Sequence, residues 1–158
     1  MTPMLATVPK PLYEQDFNLW LEETIQLLET GRLDQLDAEC LIEELKGMGA
    51  SQRQALASNL RVVLLHLLKW KYQPTKRSRS GLTSIIEHST CLLETLADSP
   101  SLKRHLGEIF QKNYLVARKS AAAETGLPLA VFPEVPPFTV EEILNPDYRP
   151  LAEGEEGL

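Results

Sequence analysis

Apolar positions crowd most densely into residues 59–72, NLRVVLLHLLKWKY. On a helix, Leu60, Val62, Val63, Leu64, Leu65, Leu67 and Leu68 point to every side, and a helix that is apolar all round is normally buried all round. Burying these seven side chains contributes roughly 10 to 20 kcal/mol gross, most of it offset by chain entropy. Ser51 and Gln54 have capping-box spacing, which predicts an N-cap at Ser51. Gln73-Pro74 predicts the stop, because a residue before proline is pushed out of the helical region. A helix over residues 52–72 is about 30 Å long, enough to form the axis of a small domain.

The flanking pattern supplies elements to wrap it. Tyr13, Phe17, Trp20, Leu21, Thr24, Ile25 and Leu28 recur at steps of three and four and predict a first helix from Tyr13, with Gly31 as its C-cap glycine. A second helix follows, capped by Asp37, with Leu41, Ile42, Leu45 and Met48 turned inward and Gly47 and Gly49 at its end. After a polar, basic loop over residues 74–81, PTKRSRSG, the stripe Leu82, Ile85, Ile86, Ser89, Leu92, Leu93 and Leu96 predicts a fourth helix. Ser99 as N-cap and Pro100 at the first position predict a fifth. It carries Leu102, Leu106, Ile109, Phe110, Tyr114, Ala117 and Ala121 inward and closes near Gly126. The next stretch, LPLAVFPEVPPF, has four prolines and no helical period, and is expected to run extended over the surface. Thr139 and Glu142 have capping-box spacing and predict a turn or two over residues 140–144. The architecture expected is thus all-α. Five helices form one bundle domain over residues 13–147 around a central apolar helix, with an extended proline-rich C-terminal segment. Residues 1–12 and 149–158 are expected to be flexible.

Charge changes this picture. The net charge of −6 conceals segregation. Residues 1–45 hold ten acids against Lys10 and Arg32; residues 46–119 hold thirteen Lys and Arg against four acids; residues 120–158 hold eight acids against Arg149. No acid falls between Gly47 and Ile86. Either the acidic arms neutralise the basic middle internally, or that middle faces an anionic partner.

The segments YEQDFNLWLEE, LDAECLIEELKGMG, LRVVLLHLLKWKYQP, SRSG, DSPSL, AAAETGLPLAVFP and TVEEIL, in this order over residues 13–147, resemble the domain of unknown function 29 family. The resemblance implies an all-helical, soluble bacterial protein and no established activity, substrate or cofactor. Two positions depart from the family pattern: Gly81 stands where tryptophan is usual after Ser80, and His88 where arginine is more usual.

Candidate chemistry is sparse. Lys69, Lys71, Lys76, Arg77 and Arg79 flank Trp70 and Tyr72 and form the expected partner-binding surface. Cations meet phosphates or carboxylates, exposed rings can stack on bases, and Ser78 and Ser80 can donate to phosphate oxygens. A sequence pI near 5.1 weighs against a dedicated nucleic-acid protein. Trp70, at the end of an apolar helix, reads first as core. Arg61 and His66 have the Arg-x4-His spacing of a superfamily of helical, metal-independent ribonucleases, in which a histidine moves the 2′-hydroxyl proton and an arginine holds the phosphate. Five residues turn about 140° of helix, however, so the two do not share a face. His66 reads more simply as a core histidine bonded to Glu43 or Glu44. His105 with Glu108, and Glu39 with Glu43, are too few ligands to make a metal site. Cys40 and Cys91 sit at core-like positions and suit a reducing cytoplasm. No phosphate-binding loop, nucleophile elbow, dinucleotide fingerprint, secretory leader or membrane span is visible. The expectation is a cytoplasmic, cofactor-free, non-enzymatic interaction module for an acidic protein or a nucleic acid, with the Arg61–His66 ribonuclease as the alternative.

Overall fold

The structure, a computed structural model, describes residues 10–157. Most of the leader expected over residues 1–12 lies outside this range, as does Leu158. The fold is all-α, with no strand among the described residues. The helices are α1 (Leu12–Gln15), α2 (Phe17–Glu29), α3 (Ala38–Tyr72), α4 (Arg79–Asp98), α5 (Leu102–Thr125) and α6 (Val140–Ile143). No helix is long and apolar enough to cross a membrane. The chain divides into two compact units, one ending at Ala50 and the other beginning at Ser51.

Helix boundaries depart from the sequence expectation at four points. The second and third predicted helices are one helix, α3, of 35 residues. Neither Gly47 nor Gly49 takes a positive φ, so neither ends the helix. Glycine inside a helix costs about 1 kcal/mol relative to alanine, which a well-packed helix absorbs. Ser51 is therefore an interior residue and not a cap. The first predicted helix breaks at Asp16, whose extended backbone and side chain cap α2 by accepting from the Leu19 N–H at 3.0 Å. The basic loop is shorter than expected, because Ser78 caps α4 and helix resumes at Arg79. Ser99 ends α4 and does not open α5, which begins at Leu102. The Asp37 cap is present, its carboxylate accepting from the Cys40 N–H at 3.2 Å. Gly126 closes α5 in the left-handed region, φ 71°.

In the unit up to Ala50, α2 and the first turns of α3 lie side by side. They are joined through a 3-10 turn at Leu33–Gln35 and bridged by Tyr13 of α1, whose ring meets Trp20 of α2 edge-on at 4.8 Å and whose hydroxyl donates to Glu44 of α3. Trp20 and Thr24 are buried. Phe17, Leu21, Ile25 and Leu28, expected inward, are exposed, as are Ile42, Leu45 and Met48.

The unit from Ser51 holds the main core. Leu56, Leu60, Val63, Leu64, Leu67 and Leu68 of α3 are fully covered by Ile85 and Leu92 of α4, by Leu106, Tyr114, Ala117 and Ala121 of α5, and by Phe132, Phe138 and Ile143. The proline-rich segment crosses this unit, pinned by Phe132 and Phe138. Prolines leave carbonyls without ladder partners. The Tyr114 hydroxyl donates to the Pro133 carbonyl, the Arg118 Nε to Phe132 at 2.7 Å, and the Ser89 hydroxyl to Ile143 at 3.1 Å. Thr139 and Glu142 form the expected capping box. Cys91 is exposed and Cys40 half-buried, so neither is a core thiol. Hydrogen bonding to Asp37, with burial adding, pushes the Cys40 thiol up to about 11. Within residues 149–157, expected to be flexible, Pro150 and Ala152 are buried and Glu155 is bound by Arg77.

Candidate functional site

Lys69, Trp70 and Gln73 lie three, four and seven residues after His66, so the four share one face of α3 where it leaves the core. The turn at Pro74–Lys76 brings the chain back over that face, and α4 starts beside it. The result is a cleft of about 110 Å³ lined by His66, Lys69, Trp70, Gln73, Lys76, Arg77, Ser78, Ser80 and Gly81. Ser78 Oγ caps α4 by accepting from the Gly81 N–H at 3.0 Å. The first turn of a helix leaves N–H groups unpaired and carries partial positive charge, which adds to the cations around it. Gly81 keeps the cleft open: a Cβ there would stand 3.3 Å from Ser78 Oγ and 3.8 Å from His66 Nδ1. A larger side chain at this position would fill the space.

The five basic residues are held differently. Lys69 pairs with Glu124 at 3.0 Å. Lys71 donates to the Leu151 carbonyl at 2.8 Å. Arg77 grips Glu155 with both terminal nitrogens, at 2.6 and 3.0 Å, while its Nε donates to the Trp70 carbonyl at 2.9 Å. Lys76 and Arg79 are exposed and make no ion pair among the described residues. Hydrogen bonds from Arg77, then from the Ala152 N–H, hold the Glu155 carboxyl below its ordinary range.

The aromatic rings of this region are half-buried and partly occupied. The Arg77 guanidinium lies 4.8 Å from the Trp70 ring and that of Arg149 5.8 Å from it. Tyr72 meets Phe132 edge-on at 5.5 Å and Lys71 at 5.8 Å.

His66 is not the core histidine expected. It is half-buried, lines the cleft, and makes no hydrogen bond to Glu43 or Glu44. Burial, with the positive charge of Lys69 adding, holds its pKa below the ordinary 6.5. Arg61 lies elsewhere. It lines a separate groove with Val62, Leu65, Val116, Ala117 and Ser120, and donates to Ser58 Oγ at 3.4 Å. The structure therefore does not bring Arg61 and His66 into one site. No group of three or more His, Cys, Asp or Glu gathers for a metal among the described residues.

Sequence reasoning missed the carboxylates that answer the basic residues, Glu124 and Glu155, and the Arg149 guanidinium over Trp70. Charge segregation carried the signal for internal neutralisation, but not which acids supply it.

Fold and cleft together describe an all-helical chain whose unit from Ser51 carries a small cleft lined by Lys69, Lys76 and Arg77. The family model described as Domain of unknown function DUF29 matches residues 12–149, and the chain belongs to that family. No curated protein and no solved structure gives a significant match.

Proposed function

We propose that this domain is a non-enzymatic interaction module whose cleft at the end of α3 takes a carboxylate-bearing segment of a partner protein. The reading rests on one observation: Arg77 already holds the carboxylate of Glu155, in an acidic turn near the C-terminus, in a two-pronged grip. Paired forks of this kind are geometrically selective for carboxylates and phosphates. Lys76 lines the same cleft, and Arg79 opens α4 next to it in the chain. Neither has an ion-pair partner among the described residues, and Ser78, Ser80 and the start of α4 supply neutral donors. An acidic peptide would thus meet the same chemistry as the chain's own tail and compete with it. A protein partner is favoured over nucleic acid because the Trp70 ring already carries the Arg77 and Arg149 guanidinium groups and the chain as a whole has a net charge of −6.

Fluorescence anisotropy tests this with a labelled acidic peptide, a single-stranded RNA and a duplex DNA, each at several salt concentrations. The peptide is expected to bind, and changing Lys76, Arg77 and Arg79 together to Ser is expected to abolish binding. Glu155→Gln is expected to tighten it several-fold by releasing the competitor. If the triple variant leaves every interaction intact, the proposal fails. RNA binding with a steep salt slope and no peptide binding would move the partner to nucleic acid.

The ribonuclease alternative retains one favourable observation, that His66 lines the cleft at the basic turn. It lacks the arginine, since Arg61 faces another groove. Loss of RNA cleavage in both His66→Ala and Arg61→Ala, with folding intact, would revive it.

A further inference from the structure

The hairpin of α2 and the first turns of α3 cannot bury its own apolar surface. On α2, Leu21, Ile25 and Leu28 fall within an arc of about 60°; on α3, Ile42, Leu45 and Met48 fall within roughly 120°. These six residues are 36% to 66% exposed. Next to the open arc, on the same rotational side of each helix, lie the residues the hairpin does cover: Trp20 and Thr24 on α2, and half-buried Cys40 and Glu44 on α3. The turn at Leu33–Gln35 joins the end of α2 to the start of α3, and Tyr13 bridges Trp20 to Glu44 at the other end, so the helices run antiparallel and the open arcs face the same way. Helical periodicity of this kind selects for a packed face, not for a solvated one. At about 200 Å² for a large apolar residue, the six present on the order of 600 Å², at the upper limit of what an isolated monomer leaves open.

We propose that this face is where two copies of the chain meet, hairpin on hairpin, as a four-helix arrangement about a two-fold axis. A face that is uniformly apolar is complementary to itself, which is what a two-fold contact requires. Two such faces bury about 1,200 Å² from these residues alone, the lower bound of a specific interface before any flanking contact is added. A closed four-helix core is also the standard way for two helix pairs to hide one apolar side each. Carboxylates flank the face: Glu22 and Glu29 on α2 and Glu39 on α3, with Lys46 beside them. Like charges meet at the rim of the pair. Added salt therefore strengthens the association or leaves it unchanged, the reverse of what a basic partner helix would show.

Sedimentation equilibrium of the full chain at micromolar concentration, in low and high salt, tests this. A dimer is expected that persists or tightens as salt rises. Leu45→Glu and Ile25→Glu, each at an exposed position and each checked for native helicity by circular dichroism, are expected to weaken it on the order of 100-fold or more. Leu93→Glu, at an exposed apolar position on α4, is expected to leave it unchanged. A monomer throughout, a dimer indifferent to both glutamates, or a dimer broken by Leu93→Glu instead would overturn the proposal. So would a monomeric chain that captures a basic amphipathic peptide in a salt-sensitive complex.

Discussion

Replacing glycine by alanine at two positions tests the continuity of α3 through the sign of the effect. Gly47 lies inside α3, and a Cβ built there meets nothing within 4 Å. Gly126 ends α5 with φ 71°, and a Cβ built there also meets nothing within 4 Å. Sterics with neighbours are therefore equal, and backbone conformation alone separates the two. In a helix interior, alanine saves the entropy that glycine loses on folding, so Gly47→Ala is expected to stabilise by about 0.5 to 1 kcal/mol. In a left-handed position the new Cβ meets its own carbonyl, so Gly126→Ala is expected to destabilise by about 1 to 2 kcal/mol. For a chain of this size each kcal/mol moves the Tm by about 2–4 °C. Gly47→Ala should therefore raise it by about 1–4 °C and Gly126→Ala lower it by about 2–8 °C. Urea titration followed by circular dichroism gives the free energies directly. Destabilisation by Gly47→Ala would mean that this glycine ends a helix after all, and that α3 is two helices.

Four further outcomes follow from the same structure. Leu64→Ala removes a side chain with no exposure at the centre of the core and is expected to cost about 2–5 kcal/mol in urea unfolding; a cost below about 1 kcal/mol would mean that α3 is not the core axis. Ser78→Ala removes the cap of α4 and is expected to cost about 1 kcal/mol, with faster amide exchange at Gly81 as the local signature. His66 titrates below 6.5 in the folded chain, so its contribution to stability is complete above 6.5 and is lost as pH falls through the folded value. In an NMR titration, an acidic peptide in the cleft is expected to raise the His66 pKa; an unchanged pKa with peptide bound would place the peptide elsewhere. The Glu155 carboxyl is held below its ordinary 4.5, so tail docking is complete above that value and is lost as pH falls through the lowered one. Hydrogen-exchange protection at residues 151–156, relative to the unprotected chain at the same pH, is expected to be lost as pH falls below 4.5 in the wild type, and already at neutral pH in Glu155→Gln.

The local code was legible where it depends on a few neighbours. Asp37 caps α3, Thr139 and Glu142 close a capping box, Gly126 ends α5 and Pro74 follows the end of α3, because each acts through the backbone within one turn. The all-round apolar run of residues 60–68 predicted burial that Leu60, Val63, Leu64, Leu67 and Leu68 show. Val62 and Leu65, also expected to be buried, are half-buried along the groove with Arg61, because no element fully covers that side. Signals that compete were not decided locally. Gly47 and Gly49 are ambiguous between interior and terminus, and only packing of the flanking turns chooses. Ser78 and Leu82 are both acceptable starts for α4, and the turn at Pro74–Lys76 chooses the earlier one.

Periodicity marked which positions are apolar, but not whether anything covers them. Leu64 and Leu45 lie on equally regular stripes, yet one has no exposure and the other is open, because coverage depends on elements distant in sequence. The basic turn follows the same logic. Composition placed Lys69, Lys71, Lys76, Arg77 and Arg79 together, because they are adjacent in the chain. Which of them meet Glu124, Leu151 and Glu155, and which remain open to a partner, was decided only when the chain folded, since those pairings join residues 55 to 80 positions apart.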